Sequence, residues 1–154
     1  MQGPGADEEV ATEAGLESPS PEQAPLMATL LRFELAHRQR SVARMRACFA
    51  DAALVESVAS DGQVLGADDT VNAIAEAFSD GVYAIGDWQY EQLLPEVVLS
   101  WTGARHRADE GGMRDETVYR LISGQDGLMW RVKLFRNRTD ALAHLASHGT
   151  DLGL

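Results

Sequence analysis

With 154 residues and 45% hydrophobic content, the chain can bury one core without disulfides. Its formal charge of −11 leaves no basic excess of the kind a nucleic-acid binder needs to neutralise phosphates. The single cysteine, Cys48, rules out an internal disulfide, and no apolar run is long enough to span a membrane.

The charge is unevenly spread. Residues 1–25 hold Asp7, Glu8, Glu9, Glu13, Glu17 and Glu22 and no Lys or Arg. All 13 basic residues fall in 26–154 against 18 acidic ones, so that part carries about −5. Residues 1–24 are mostly Gly, Pro, Ala, Ser and Glu. They cannot bury enough surface to offset chain entropy and are expected to form a disordered acidic tail. No basic patch followed by an apolar block opens the chain, so the expectation is a cytoplasmic protein.

From Pro25 the pattern changes. Pro25 suits a first helical turn, and Met27, Leu30, Leu31 and Leu35 follow at helical spacing with Phe33 beside them. Ser41 can cap a second short helix with Val42, Met45 and Phe49 on one face. Cys48 then reads as a small buried hydrophobe. A strand is predicted from Leu54 to Ser60, followed by an Asp61-Gly62 turn and a short return at Val64-Leu65. Asp68 and Asp69 sit where negative charge favours a helix N-terminus. Val71, Ile74, Ala75 and Phe78 make that helix amphipathic. The second half is predicted as strands at Trp88–Leu94, Val97–Arg107, Met113–Ile122 and Leu128–Phe135, joined by short turns as an antiparallel meander. Thr139 can cap a last helix carrying Ala141, Leu142 and Leu145 and ending near Gly149. The domain thus covers 25–149, with a short tail at 150–154.

Two stretches, CFADAALVESVASDGQVLGADDTVNAI and WRVKLFRNRTDALAHLASHG, resemble the nuclear transport factor 2-like superfamily, and within it the SnoaL-like group. The first is similar to the family's F-A-D-D, strand, Gly and helix pattern. The second is similar to its last strand and D-R-x-E-A-L-x-x-x-G segment. The resemblance covers about residues 26–149. It implies an α+β fold, a cone-shaped curved antiparallel sheet wrapped on N-terminal helices, the cystatin-like or SnoaL-like α+β barrel. It also implies an apolar pocket for a small hydrophobic molecule of polyketide, steroid or terpenoid type, handled by a cyclase, isomerase or hydrolase. The family also contains non-catalytic dimeric interaction modules, so both readings stand. No cofactor and no metal are implied. A homodimer through the convex face of the sheet is the expected assembly.

The chemistry of the ketosteroid isomerases within this superfamily does not carry over. Their helix-one tyrosine falls on Phe33, their general-base aspartate on Ser57, and their second proton donor near Thr117. Phenylalanine donates no proton, and serine is a poor base without a partner. The epoxide hydrolases of this fold use an Asp-Arg-Asp arrangement, and Arg105 with Asp115 is the nearest counterpart. A symmetric ADEGG turn pairs Arg105 with Asp115 and Trp101 with Tyr119. Such a pair reads either as a group orienting water or a carbonyl, or as an ordinary cross-strand ion pair. His37, late in helix one, reads either as a pocket base or as a solvated helix end.

Strand alternation then predicts the pocket lining. Val55, Ser57 and Ala59 share one face. On the meander, Leu99, Trp101, Gly103 and Arg105 join Asp115, Thr117, Tyr119 and Leu121. Phe33, Val71, Ile74 and Phe78 close the cavity from the helices. The last strand is open: Trp130, Val132 and Leu134 form its apolar face, while alignment to the family turns Met129 and Arg131 inward. Ligand contacts are thus expected from Phe33, Val55, Ser57, Phe78, Trp101, Thr117, Tyr119 and Arg131. Glu56 and Glu116 are expected on the convex side.

Overall fold

The structure is a computed structural model that describes residues 25–57, 62–79, 83–107 and 112–154. The acidic N-terminal 24 residues, Asp61 and most of the ADEGG turn lie outside the described residues, as do the side chains at 83–86, 104–107 and 113–115.

Helix α1 runs Pro25–Arg38 and α2 Val42–Arg46. Strands β1 (Phe49–Glu56) and β2 (Val64–Leu65) precede α3 (Ala67–Ser79). Strands β3 (Tyr83–Leu94), β4 (Val97–Arg107), β5 (Met113–Gln125) and β6 (Leu128–Phe135) follow, then α4 (Arg138–His148) and a single 3-10 turn at Gly149–Asp151. Pro25 opens α1 as expected, and the Ser41 hydroxyl accepts from the Arg44 amide at the start of α2. Strand β1 begins at Phe49, not Leu54, because α2 ends after five residues. The cap of α4 is Asn137, whose side chain accepts from the Asp140 amide at 2.8 Å, in place of Thr139.

The six strands form one sheet in the order β2-β1-β6-β5-β4-β3. The meander β3 to β6 is antiparallel, but β1 joins β6 in parallel, so the sheet is mixed. Register across β4 and β5 sets Arg105 opposite Asp115 and Trp101 opposite Tyr119. The β5–β6 hairpin turns at Asp126-Gly127, both at positive φ. The first turn of α1 packs on that hairpin: the Thr29 hydroxyl bonds the Gly127 carbonyl, and a side chain at 127 would press on Pro25. Among the described residues, no helix is long and apolar enough to cross a membrane.

Both faces of the sheet are covered. On one, the helical stripe Leu26, Leu30 and Phe33 meets Phe49, Ala53, Val55, Val71, Val98, Ile122, Met129 and Val132. On the other, Val97, Leu99 and Leu121 meet Ala141 of α4 and Leu152. Leu152, expected in a free tail, is 0% exposed. Polar links brace the frame. Arg46 of α2 pairs with Asp51 of β1 at 2.9 Å and with Asp68 of α3 at 2.6 Å. Lys133 of β6 pairs with Glu56 of β1 at 2.5 Å. Arg138 grips Glu91 through two nitrogens at 3.0 and 2.7 Å.

Candidate functional site

The space between α1, α3 and the sheet is not filled. A cavity of about 120 Å³ remains, whereas one water needs roughly 10–15 Å³. Helix α1 presents Leu30, Phe33 and His37 to it at intervals of three and four residues, and α3 presents Thr70, Ile74, Ala77 and Phe78. The sheet contributes alternate residues: Val55 and, just past β1, Ser57; Trp88 and Tyr90 from β3; Ser100 and Thr102 from β4; Val118, Arg120 and Ile122 from β5. On β6 both Met129 and Val132 reach the cavity. Register explains this break in alternation: Ser123 faces Arg131 and Gly124 faces Met129. One residue of β5 is matched by two of β6, which places a bulge at Trp130.

An aromatic cluster closes the α1 end. The Trp88 ring centre lies 5.9 Å from Phe33 and 5.1 Å from His37, and Phe78 lies 5.0 Å from His37. Two guanidinium groups rest on these rings, Arg120 over Trp88 at 5.3 Å and Arg40 over Phe78 at 4.9 Å. The Tyr90 hydroxyl donates to Glu34 Oε1 at 2.6 Å, and Glu34 Oε2 pairs with Arg38 at 2.5 Å.

Polarity in the cavity is sparse and unusual. Ser100 and Thr70 are 1% and 2% exposed, and their hydroxyl oxygens have no hydrogen-bond partner. Arg120 is partly exposed as a residue, but its Nη1 is buried and also without a partner. No Asp or Glu lines the cavity among the described residues. Burial lowers the Arg120 guanidinium to about 10, so it stays charged at neutral pH. Burial, then the charges of Arg120, Arg40 and Arg38, hold His37 down at about 4 despite Glu34, so its ring is neutral at pH 7. Burial and the bond to Glu34 push the Tyr90 phenol above its usual range. Cys48 is buried away from this site and burial raises its thiol, as suits a packing residue.

Of the residues expected as ligand contacts, Phe33, Val55, Ser57 and Phe78 line the cavity, and so does His37. Trp101, Tyr119 and Thr117 do not. They belong to the opposite alternation, and Trp101 and Tyr119 stack on the outer face at 5.9 Å with Leu99 and Leu121 beneath. Thr117 is exposed. Arg131 is also elsewhere: the bulge swings it along the Trp130 ring, 4.0 Å from its centre, and Nη1 donates to the Ala52 and Trp130 carbonyls. Neither Trp130 nor Arg131 points into the cavity. Val71 is buried in the core beside it. Glu56 lies on the outer side with Lys133, but Glu116 shares the alternation of Val118 and Arg120, not the convex side. For Arg105 and Asp115 the register is as expected, and their side chains lie outside the described residues, as does Ala59.

Sequence reasoning missed Arg120, Trp88, Tyr90, Ser100 and Thr102. One signal was available. Val97, Val98, Leu99 and Ser100 run without polar alternation, which marks a strand buried on both faces. In such a strand the most apolar row need not be the row that faces a pocket.

No protein-family model matches this sequence, and no curated protein matches it significantly. Solved structures do match. A nuclear transport factor 2-like protein of unknown function from Burkholderia pseudomallei is 13% identical, with 78% of this chain and 96% of that chain covered and a TM-score of 0.60. An uncharacterized cystatin-fold protein from Novosphingobium aromaticivorans is 19% identical, covering 73% and 98%, with a TM-score of 0.57. A Mycobacterium tuberculosis protein solved in complex with estradiol-17β-hemisuccinate is 14% identical, covering 76% and 97%, with a TM-score of 0.56. With helices α1 to α3 cupped against a curved six-stranded mixed sheet, this chain has the nuclear transport factor 2-like, cystatin-like α+β fold.

Proposed function

We propose that the chain binds a small hydrophobic molecule of polyketide, steroid or terpenoid type in the cavity between α1, α3 and the sheet. One observation carries this reading. The cavity is apolar, yet the unpartnered Ser100 and Thr70 hydroxyls and Arg120 Nη1 all border it. A core that merely failed to pack would not gather buried polar groups that cost free energy when unmet. Few polar groups on an apolar wall is the usual make-up of a small-molecule site. The steroid ester held by the Mycobacterium tuberculosis protein of the same fold supports this ligand class. Binding is supported further than catalysis: no carboxylate lines the cavity among the described residues, and His37 at about 4 is a weak base at neutral pH.

The test is thermal unfolding against a panel of hydrophobic metabolites. A ligand at one hundred times its Kd stabilises by about 2.7 kcal/mol, a shift of roughly 5–11 °C for a chain of this size. Ile74→Trp, which fills the space, is expected to abolish the shift. A panel that leaves Tm unmoved would sink the reading.

A homodimer through the outer face of the sheet is a second reading, favoured by the Trp101–Tyr119 stack, which is only half-buried there. Light scattering should then give twice the mass of one chain. A monomer at 100 μM would rule it out.

A further inference from the structure

We propose that the occupant of this cavity carries an anionic oxygen, such as a carboxylate, enolate or phenolate, and that Arg120 receives it. The inference rests on the cavity being a ligand site. It follows from where positive charge stands without compensation. The whole chain is acidic, but this cavity is the reverse. Arg120 sits in the wall with Nη1 buried and unpartnered, its guanidinium carbon over the Trp88 ring at 5.3 Å. Arg40 lies on Phe78, another wall residue.

The nearby acid is already engaged. Glu34 takes the Tyr90 hydroxyl on one oxygen and Arg38 on the other. Among the described residues no carboxylate lines the cavity beside Arg120. A guanidinium buried without a partner opposes folding, and a neutral steroid-like guest would leave it as unpaired as before. An anionic oxygen satisfies it with a charge-assisted hydrogen bond. The Ser100 hydroxyl is a second donor for the same group. It stands on β4 directly opposite Arg120 in the β4–β5 register, and it too has no partner. Arg120 and Ser100 thus form one polar pole in an otherwise aromatic and aliphatic chamber. The guest they fit has a flat apolar body and one acidic end.

Calorimetric titration with naphthoate and naphthamide tests this, because the two share a ring skeleton and differ in charge. The wild-type chain is expected to bind naphthoate at least tenfold tighter. In Arg120→Met the preference should vanish, with naphthamide affinity kept within about threefold, which also reports that the variant is folded. Arg120→Lys, which keeps charge without the planar fork, should retain part of the preference and decides the matter if the Met variant does not fold. Equal affinities in the wild type, a preference that survives in Arg120→Met, or one undiminished in Arg120→Lys would overturn the proposal while leaving the cavity reading intact. So would failure of naphthoate while neutral hydrophobes still raise Tm. Failure of both naphthyl compounds and of the whole hydrophobic panel would overturn the cavity reading, and this inference with it.

Discussion

Trp88→Ala is expected to abolish binding of apolar probes, whereas Trp101→Ala should leave it within about twofold. Both changes should cost stability, roughly 2–4 kcal/mol each, near the lower end for large aromatic truncations because neither ring is fully buried. The asymmetry follows from the two faces of one sheet. Trp88 is a wall of the cavity and the platform for Arg120, and it touches Phe33 and His37. Its removal merges the aromatic end of the chamber with solvent and frees the guanidinium. Trp101 stacks on Tyr119 over the layer of Leu99, Leu121, Ala141 and Leu152. Its loss opens that layer and leaves the chamber untouched. Urea midpoints give the stability cost, and titration of a fluorescent apolar probe gives the affinity. Loss of probe binding in Trp101→Ala but not in Trp88→Ala would mean that the faces are assigned the wrong way round.

That assignment is where the sequence stops being informative. Element order is legible, and two strands, Val97–Arg107 and Leu128–Phe135, match the expected bounds to the residue. The ADEGG turn even predicts the register that sets Trp101 opposite Tyr119. Which parity faces the helices is not legible, because α4 and Leu152 bury the second face as deeply as α1 and α3 bury the first. Alternation reports the buried side only when the other side is wet. Trp101, Tyr119, Leu99 and Leu121 form the most apolar row, and they face α4. The row with Ser100, Thr102 and Arg120 looks solvent-facing, and it faces the cavity.

The remaining misses have the same physical root. On β6, an inserted residue at Trp130 lets Met129 and Val132 share a side, and no turn or glycine in that strand announces it. Arg120 was passed over because a lone arginine in a strand is ordinarily a surface residue. Here it is the feature on which the proposal of a ligand site turns. Of the helical positions, Phe78 follows from the apolar spacing on α3, whereas on α1 the row facing the cavity is Leu30, Phe33 and His37 and the expected Leu35 is 54% exposed. The position of a ketosteroid-isomerase base, Ser57, does line the cavity. The cation in the cavity wall, Arg120, stands on a different strand, β5.

Stability is expected to fall by about 2 kcal/mol between pH 7 and pH 5 through His37 alone. The ring titrates at about 4 in the folded chain against 6.5 when exposed. Between those values the unfolded chain binds the extra proton, so stability rises with pH across the window. The contribution is fully present above about pH 6.5 and is lost as pH falls toward 4, below which it changes no further. Desolvation among Phe33, Phe78 and Trp88 comes first among the causes, then repulsion from Arg120, Arg40 and Arg38, with Glu34 opposing. His37→Phe keeps a neutral ring in place and should flatten the curve from pH 7 to 5 relative to wild type, as read from urea midpoints. Carboxylates contribute to both curves alike, so the difference isolates His37. Parallel curves would show that His37 is solvated and does not belong to the cavity wall. A bound anion beside Arg120 offsets one of the charges that oppose protonation. In saturating naphthoate the His37 resonance should therefore titrate at higher pH than in the free protein, which makes this ring an internal gauge of where the ligand's charge sits.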